Sequence, residues 1–319
     1  MSSKSNQDTI KQTHLRHPRY WPTWLGMASL WLVAQLPWRL QMGLGKQLGL
    51  LMFHTLKRRR SICCVNLELA FPELSPAEQQ ALNREHFISL GQGLFETALS
   101  WWGSESRLDK LTHIEGIEHL HKAHAKGGVI LLSAHFTSLE VGGRLLAPYL
   151  PLHVVYRPHQ NPVIEQQVAR LRAQRYGKAI SRDSIRTMLH SLKQGYAVWY
   201  AQDQHFNQKN SVFAPFFGVE AATNTATSRI ASLGQAQVVP FFTFRHKNGY
   251  QLRFLPALED FPGKSVHTDT IRINRIIEQQ VREVPAQYLW THRRYKTSPD
   301  GSDRYQIHHR DYPDSRCKN

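Results

Sequence analysis

Cysteine is scarce in this chain: Cys63, Cys64 and Cys317 are the only three in 319 residues. Two are adjacent rather than spaced as Cys-x-x-Cys, which excludes a closed structural metal site unless histidines complete it. All three read as free thiols, the state kept in a reducing compartment. Acidic residues are also few, 24 Asp and Glu against 40 Lys and Arg, giving a net charge of +16 and a pI near 10.0. Such a field attracts nucleic acid, an anionic membrane face or phosphorylated substrates, and charge alone does not choose among them. No helix-turn-helix, zinc or RNP-like pattern accompanies the charge, which weighs against a nucleic-acid-binding protein. A Gly-x-Ser-x-Gly elbow is missing too, so a serine nucleophile of the hydrolase type is not indicated.

A secretory signal is not evident, since the first apolar stretch starts near Trp21 and no small-residue cleavage site follows. That stretch, Trp24 to Leu36, holds 13 uncharged residues, below the roughly 20 that span a bilayer. Pro37 interrupts it and a second stretch runs from Leu40 to Leu56. Basic residues flank the pair, and Trp21, Trp24, Trp31 and Trp38 are aromatics of the kind found at headgroup depth. The reading is an N-terminal hydrophobic, membrane-associating helical segment at 21–60 that enters or lies on the cytoplasmic leaflet with both ends on that side, a single spanning helix at Trp21–Leu40 staying open. Two ordinary helices packed on the domain are the alternative.

The remainder alternates. Ser75 to Trp102 is helical, opening with a Ser75–Glu78 capping-box pair and Pro76 at the first helical position. Strands are expected at Val129–Leu132, Pro151–Tyr156, Tyr196–Tyr200, Ala236–Phe244 and Gln251–Leu255. Helices are expected at 161–174, 184–193, 224–233 and 269–284. This pattern predicts an α/β fold with a central sheet flanked by helices. The expected organisation is a polar tail at 1–20, the segment 21–60, an α/β domain at 61–296 and a polar tail at 297–319.

Within Gly127–Glu140, His135 stands just beyond the carboxyl end of a buried strand, where open sheets place their ligands. If the next helix starts one or two residues later, the loop folds His135 back toward Glu140. The carboxylate then fixes the ring tautomer and leaves the other nitrogen as a general base. A hydroxyl needs such a base to attack a thioester, which is already activated, and no protein nucleophile is required. His119, His121 and His124 lie on a polar helix without cysteine or aspartate nearby, so no metal is expected.

Six blocks carry a wider resemblance: SAHFTSLEVGGR (133–144), VYRPHQNPVIEQ (155–166), AVWYAQDQHF (197–206), SVFAPFFGVEAATNTATSRIA (211–231), VVPFFTF (238–244) and PAQYLWTHRRYK (285–296). In this order they resemble the lipid A late acyltransferases, most closely the lauroyl type, within the lysophospholipid and glycerolipid acyltransferase superfamily. The resemblance implies a glycerolipid-acyltransferase-like mixed sheet and a catalytic His-x-x-x-x-Glu pair, here His135 and Glu140. It implies an acyl carrier protein thioester as donor and a phosphorylated, Kdo-bearing glycolipid as acceptor. It further implies a place at the cytoplasmic face of the inner membrane, inner-membrane lipid as surroundings and no cofactor. Arg157 becomes the arginine of the second block, a catalytic candidate for substrate phosphate or the oxyanion.

Substrate-binding candidates are Arg144, Asp203, Gln204, Lys209, Phe216, Phe217, Arg293 and Arg294. For Asp203 and Gln204 a turn role is the alternative, for Phe216 and Phe217 a place in the core, and for Arg293 and Arg294 a solvated charge run. Thr223, Thr225 and Thr227 read either as a phosphate-holding helix start or as caps. Myristoyl- or palmitoleoyl-type lipid A acyltransferases, and a lysophospholipid acyltransferase, remain open alternatives.

Overall fold

Ser75 caps a long helix because its hydroxyl accepts the Glu78 backbone N–H while the Glu78 carboxylate accepts from Ser75 N–H. That helix and its neighbours belong to a computed structural model describing residues 15–181, 184–206 and 210–305. The N-terminal third is helical: α1 (Trp21–Gln35), α2 (Trp38–Thr55), α3 (Lys57–Ala70), α4 (Pro76–Trp102) and a short α5 (Glu105–Asp109). Alternation follows through β1 (Thr112–Glu115), α6 (Ile117–His124), β2 (Val129–Ser133), α7 (Leu139–Leu146), β3 (Leu152–Tyr156), α8 (Pro162–Arg175), β4 (Lys178–Ser181), α9 (Ile185–Lys193) and β5 (Ala197–Ala201). A hairpin of β6 (Ser211–Phe216) and β7 (Val219–Asn224) leads to α10 (Ala226–Gly234), β8 (Gln237–His246), β9 (Gly249–Phe254) and α11 (Val266–Glu283).

Seven strands form one sheet in the order β1-β9-β8-β2-β5-β3-β4. The neighbours pair in parallel except β8 and β9, which are antiparallel, so the sheet is mixed as expected. β2 is buried at all five positions, as a strand covered on both faces must be. Its side chains alternate between two cores. Val129 and Leu131 join Val141, Leu145 and Phe241, while Ile130 and Leu132 join Met188, Ile230 and Ile277.

Two features of this topology place the site. β5 inserts between β2 and β3, with Ser133 opposite Ala201 at the shared carboxyl end. On its other side, β5 stops pairing with β3 at Val154–Trp199, although β3 continues to Tyr156 and β5 to Ala201. The strand ends therefore diverge and open a crevice at the carboxyl edge, the usual ligand position in open sheets.

The N-terminal segment corrects two expectations, a membrane-associating segment as part of the fold and a placement at the cytoplasmic face of the inner membrane. Among the described residues no helix is long and apolar enough to cross a membrane. Instead α2 lies directly on α4. A Cβ added at Gly91 would sit 2.2 Å from Gly45 O and 2.4 Å from Gly49 N, so the two backbones touch and only glycine fits. Trp38 is buried, its indole N–H donating to Tyr250 Oη at 2.9 Å. Trp21, Trp24 and Trp31 do remain exposed. Cys63 is free and fully buried, its thiol pushed up by burial. Cys317 lies outside the described residues.

Gly91→Ala is expected to destabilise the protein by about 3 kcal/mol, because a methyl group must push two backbones apart. Gly43→Ala, on the open side of α2 with nothing within 4 Å, is the control. It is expected to stabilise by about 0.5–1 kcal/mol. Denaturant titration of both variants measures the contrast.

Candidate active site

Extending the β2–β5 register by two residues places position 135 beside position 203. Adjacent strands run about 4.8 Å apart, so the two side chains meet if they leave the same face. They do. His135 Nδ1 lies 2.6 Å from Asp203 Oδ1, and the His135 backbone N–H donates to Asp203 Oδ2 at 2.9 Å. Asp203 is 1% exposed and the His135 ring 26%. Burial alone would push the Asp203 carboxyl up, but the attraction of His135, the ring hydrogen bond and the backbone N–H outweigh it and bring it to about 2. An ionised carboxylate only accepts, so Nδ1 carries the proton and Nε2 is the basic nitrogen. For His135 burial opposes protonation, yet the Asp203 charge and hydrogen bond win and raise its pKa.

The sequence reading gave the orienting role to Glu140, and the structure gives it to Asp203. Glu140 sits in the first turn of α7, five residues on, where Arg172 Nη2 of α8 lies 3.9 Å from its Oε1. Arg172 in turn covers the Tyr156 ring at 4.7 Å. Neither Asp203 as the ring partner nor Arg172 was assigned from sequence. The Asp203 signal was there, since both residues stand three places past an expected strand, Val129–Leu132 and Tyr196–Tyr200. Arg172, in a polar helix, carries no comparable signal.

His135, Glu140, Arg157, Arg172 and Gln204 line one cavity of about 620 Å³ in the crevice between β5 and β3. The cavity has two chemistries. Val154, Ile185, Met188, Trp199, Ile230 and Leu233 supply apolar wall, whereas Arg157, Arg172 and Arg229 supply positive charge. Among the described lining residues Glu140 is the one carboxylate. The volume falls in the range of small-molecule sites. Such a pocket suits a ligand with an apolar chain and an anionic head.

Other candidates stand elsewhere. Arg144 is buried on α7, turned from the cavity toward Glu105 at 3.4 Å. Phe216 and Phe217 are core residues at the tip of the β6–β7 hairpin rather than lining. Phe217 and Gly218 both have positive φ, 53° and 74°, the two-residue turn that suits a twisted hairpin. Packing holds Phe217 there, 5.1 Å from Phe71 and 5.8 Å from Trp290. Arg294 is buried and donates to Ala222 O at 3.0 Å and Thr223 Oγ1 at 2.6 Å, bracing that hairpin. Arg293 lies 4.0 Å from Asp303 and over the Tyr305 ring. Thr225 Oγ1 donates to Asn210 O, and Thr227 N–H donates to Gln202 Oε1, so both serve local structure. Lys209 lies outside the described residues.

The segment 285–292 closes the site from behind. Phe136 bridges to Tyr288, and Leu289 N–H donates to His135 O at 2.9 Å. His292 is neutral, lowered to about 4 by burial despite the pull of Asp203. Its Nε2 accepts the His205 backbone N–H at 3.0 Å.

Residues 8–297 match the family model described as bacterial lipid A biosynthesis acyltransferase. The lipid A biosynthesis lauroyltransferase of Escherichia coli (strain K12) is 41% identical over 295 residues, 91% of this chain and 96% of that protein. The palmitoleoyltransferase of the same organism is 39% identical with the same coverage. Its myristoyltransferase is 30% identical over 94% of this chain and 95% of that one. Among solved structures, the 1-acyl-sn-glycerophosphate acyltransferase PlsC of Thermotoga maritima gives a TM-score of 0.37 at 12% identity, over 72% of this chain and 98% of the other. That likeness is too slight to carry an argument, and the family match along nearly the whole chain does not need it. A buried His–Asp pair at the mouth of an apolar, positively charged cavity belongs here to an acyltransferase, and the chain is a member of the bacterial lipid A biosynthesis acyltransferase family.

Proposed function

We propose that the enzyme moves a lauroyl chain from an acyl carrier protein thioester to a hydroxyacyl hydroxyl of a Kdo-bearing lipid A precursor, with His135 as general base. The observation that carries this reading is the ring geometry: Nδ1 is committed to a buried carboxylate, and His135 borders the cavity. Nε2 takes the proton of the acceptor hydroxyl as its oxygen bonds to the thioester carbonyl carbon. The C–S bond then breaks, and the proton passes to the departing carrier thiolate. No acyl-enzyme forms, because the thioester is activated already and the hydroxyl needs only a base and a fixed approach.

Asp203 keeps the tautomer and stabilises the imidazolium that forms. Glu140 and Arg172 act as a pair in the lining of the same cavity, Oε1 lying 3.9 Å from Nη2. Arg157, exposed at the end of β3, meets a substrate phosphate or the developing oxyanion, for which a guanidinium fork is suited. Gln204 borders the acceptor side. The apolar wall takes the acyl chain. Identities of 41% and 39% to lauroyl and palmitoleoyl enzymes do not separate the two chain lengths, so lauroyl rests on the block resemblance and needs a direct product measurement.

His135→Ala and Asp203→Asn are each expected to slow transfer on the order of 10²–10⁴-fold in a purified-enzyme assay with folding retained. Wild-type turnover in His135→Ala would end the general-base assignment. The pH dependence has a definite sign. A base works deprotonated, so kcat/KM falls as pH drops through the raised His135 pKa. Asp203→Asn removes the charge that raises it and is expected to move that midpoint downward. Glu140→Ala is also expected to lose transfer, but through Arg172, leaving the midpoint where it was. Mass spectrometry of products from C10 to C16 carrier thioesters, with and without Kdo on the acceptor, is expected to favour C12 and the Kdo-bearing acceptor. Preference for another chain length would reassign the type.

A further inference from the structure

Arg245 stands at the end of β8, outside the lining of the main cavity, yet its guanidinium is among the most heavily engaged groups of the described residues. It forms a two-pronged ion pair with Glu96 of α4, Nε to Oε1 and Nη2 to Oε2 at 2.7 Å, with exposures of only 8% and 1%. Burying two charges in this way costs desolvation that an apolar pair of similar size would avoid. The ion pair fixes the guanidinium, and the remaining N–H groups are spent on other partners. Nη1 donates to Ser89 Oγ at 3.0 Å and Gln92 Oε1 at 2.9 Å, and Nη2 reaches Thr137 Oγ1 at 3.4 Å.

Thr137 is two residues after His135. Its hydroxyl is 2.7 Å from Ser89 Oγ, and its backbone N–H donates to Gln287 O at 2.8 Å. Gln287 in turn clasps the Arg245 backbone with both ends of its amide, accepting from N–H at 2.8 Å and donating to O at 2.9 Å. The Thr137 carbonyl packs on Gly93, where a Cβ would approach it to 2.6 Å. Thus the three-residue span His135–Thr137 is pinned at one end by Asp203 and Leu289 and at the other by Ser89, Arg245 and Gln287.

We propose that Arg245, held by Glu96 and acting through Ser89 and Thr137, is a positioning residue that sets the alignment of His135 on Asp203. The proposal rests on His135 being the general base. Displacement of a catalytic group by about 1 Å costs on the order of 10²-fold, so a loop pinned at only one end loses rate without losing substrate contacts.

Deleting Arg245 would strand the Glu96 carboxylate and risk the fold, so the test uses Thr137→Val and Ser89→Ala, which leave the ion pair intact. Steady-state kinetics and an NMR titration of the His135 ring are measured on the full chain. Each variant is expected to lower kcat about 10- to 100-fold with KM for donor and acceptor unchanged within about 3-fold. The NMR midpoint of His135 is expected to fall toward that of an ordinary histidine as the Asp203 contact loosens. A lowered melting temperature with kcat and midpoint both at wild-type values would make the network purely structural and overturn the proposal. So would a loss of kcat with the His135 midpoint unmoved. The NMR readout does not need turnover, so it tests alignment even if His135→Ala proves active and the general-base reading fails.

Discussion

Everything at the site hangs on two parallel strands ending level. β2 and β5 finish together at Ser133 and Ala201, and two residues later the chain presents an imidazole and a carboxylate 2.6 Å apart. The carboxylate is fully enclosed, and an enclosed charge is tolerable only if it is paired and hydrogen-bonded. Asp203 meets that requirement with the His135 ring and the His135 backbone N–H. The same contacts that make the fold tolerate Asp203 also choose the His135 tautomer. Stability and chemistry are served by one interaction, which constrains the loop more tightly than either would alone.

The crevice has an equally simple origin. A strand pair that loses its hydrogen bonds before its ends must splay, and β3 and β5 do so after Val154–Trp199. Residues deeper than that point are the apolar strand interior, and residues beyond it are the polar loop ends. One cavity therefore passes from Val154, Met188 and Trp199 to Arg157, His135 and Gln204 without any added domain. A ligand with a hydrocarbon chain and an anionic head fits this gradient by construction.

The central strands were legible because burial on both faces leaves an unbroken apolar run, as in Val129–Leu132. The two edge strands were not. Thr112–Glu115 and Lys178–Ser181 have only four residues each and polar composition, the usual character of edges, so periodicity has nothing to detect. His135 was legible from its place after β2, and so was the gathering of Glu140, Arg157 and Gln204 at one end of the sheet. Its partner was misjudged because spacing along the chain favours Glu140, whereas pairing between strands 68 residues apart favours Asp203. Phe216, Phe217 and Arg294 were read as substrate contacts because aromatics and a buried arginine look alike in sequence whether they face a ligand or a hairpin. Only the φ of Phe217 and the Ala222 carbonyl and Thr223 hydroxyl that Arg294 meets distinguish the two.

The N-terminal helices acquire a different meaning from this arrangement. Composition made them look like a separate anchoring device, but α2 rests on α4 backbone to backbone at Gly91, two residues from Ser89 and five from Glu96. Those two side chains face the opposite way, into the Arg245 network that ends on Thr137. One helix thus carries α2 on one face and the back of the catalytic loop on the other. Close backbone contact is stiff, because glycines leave no side chain to rotate out of the way. A rigid seat for α4 suits a loop whose Thr137 hydroxyl is held at 2.7 Å by Ser89 of that helix and at 3.4 Å by Arg245 of β8. The helices before residue 60 are therefore tied to the back of this loop through α4, with Gly45 and Gly49 at the backbone contact and Trp38, Met42 and Phe53 buried around it.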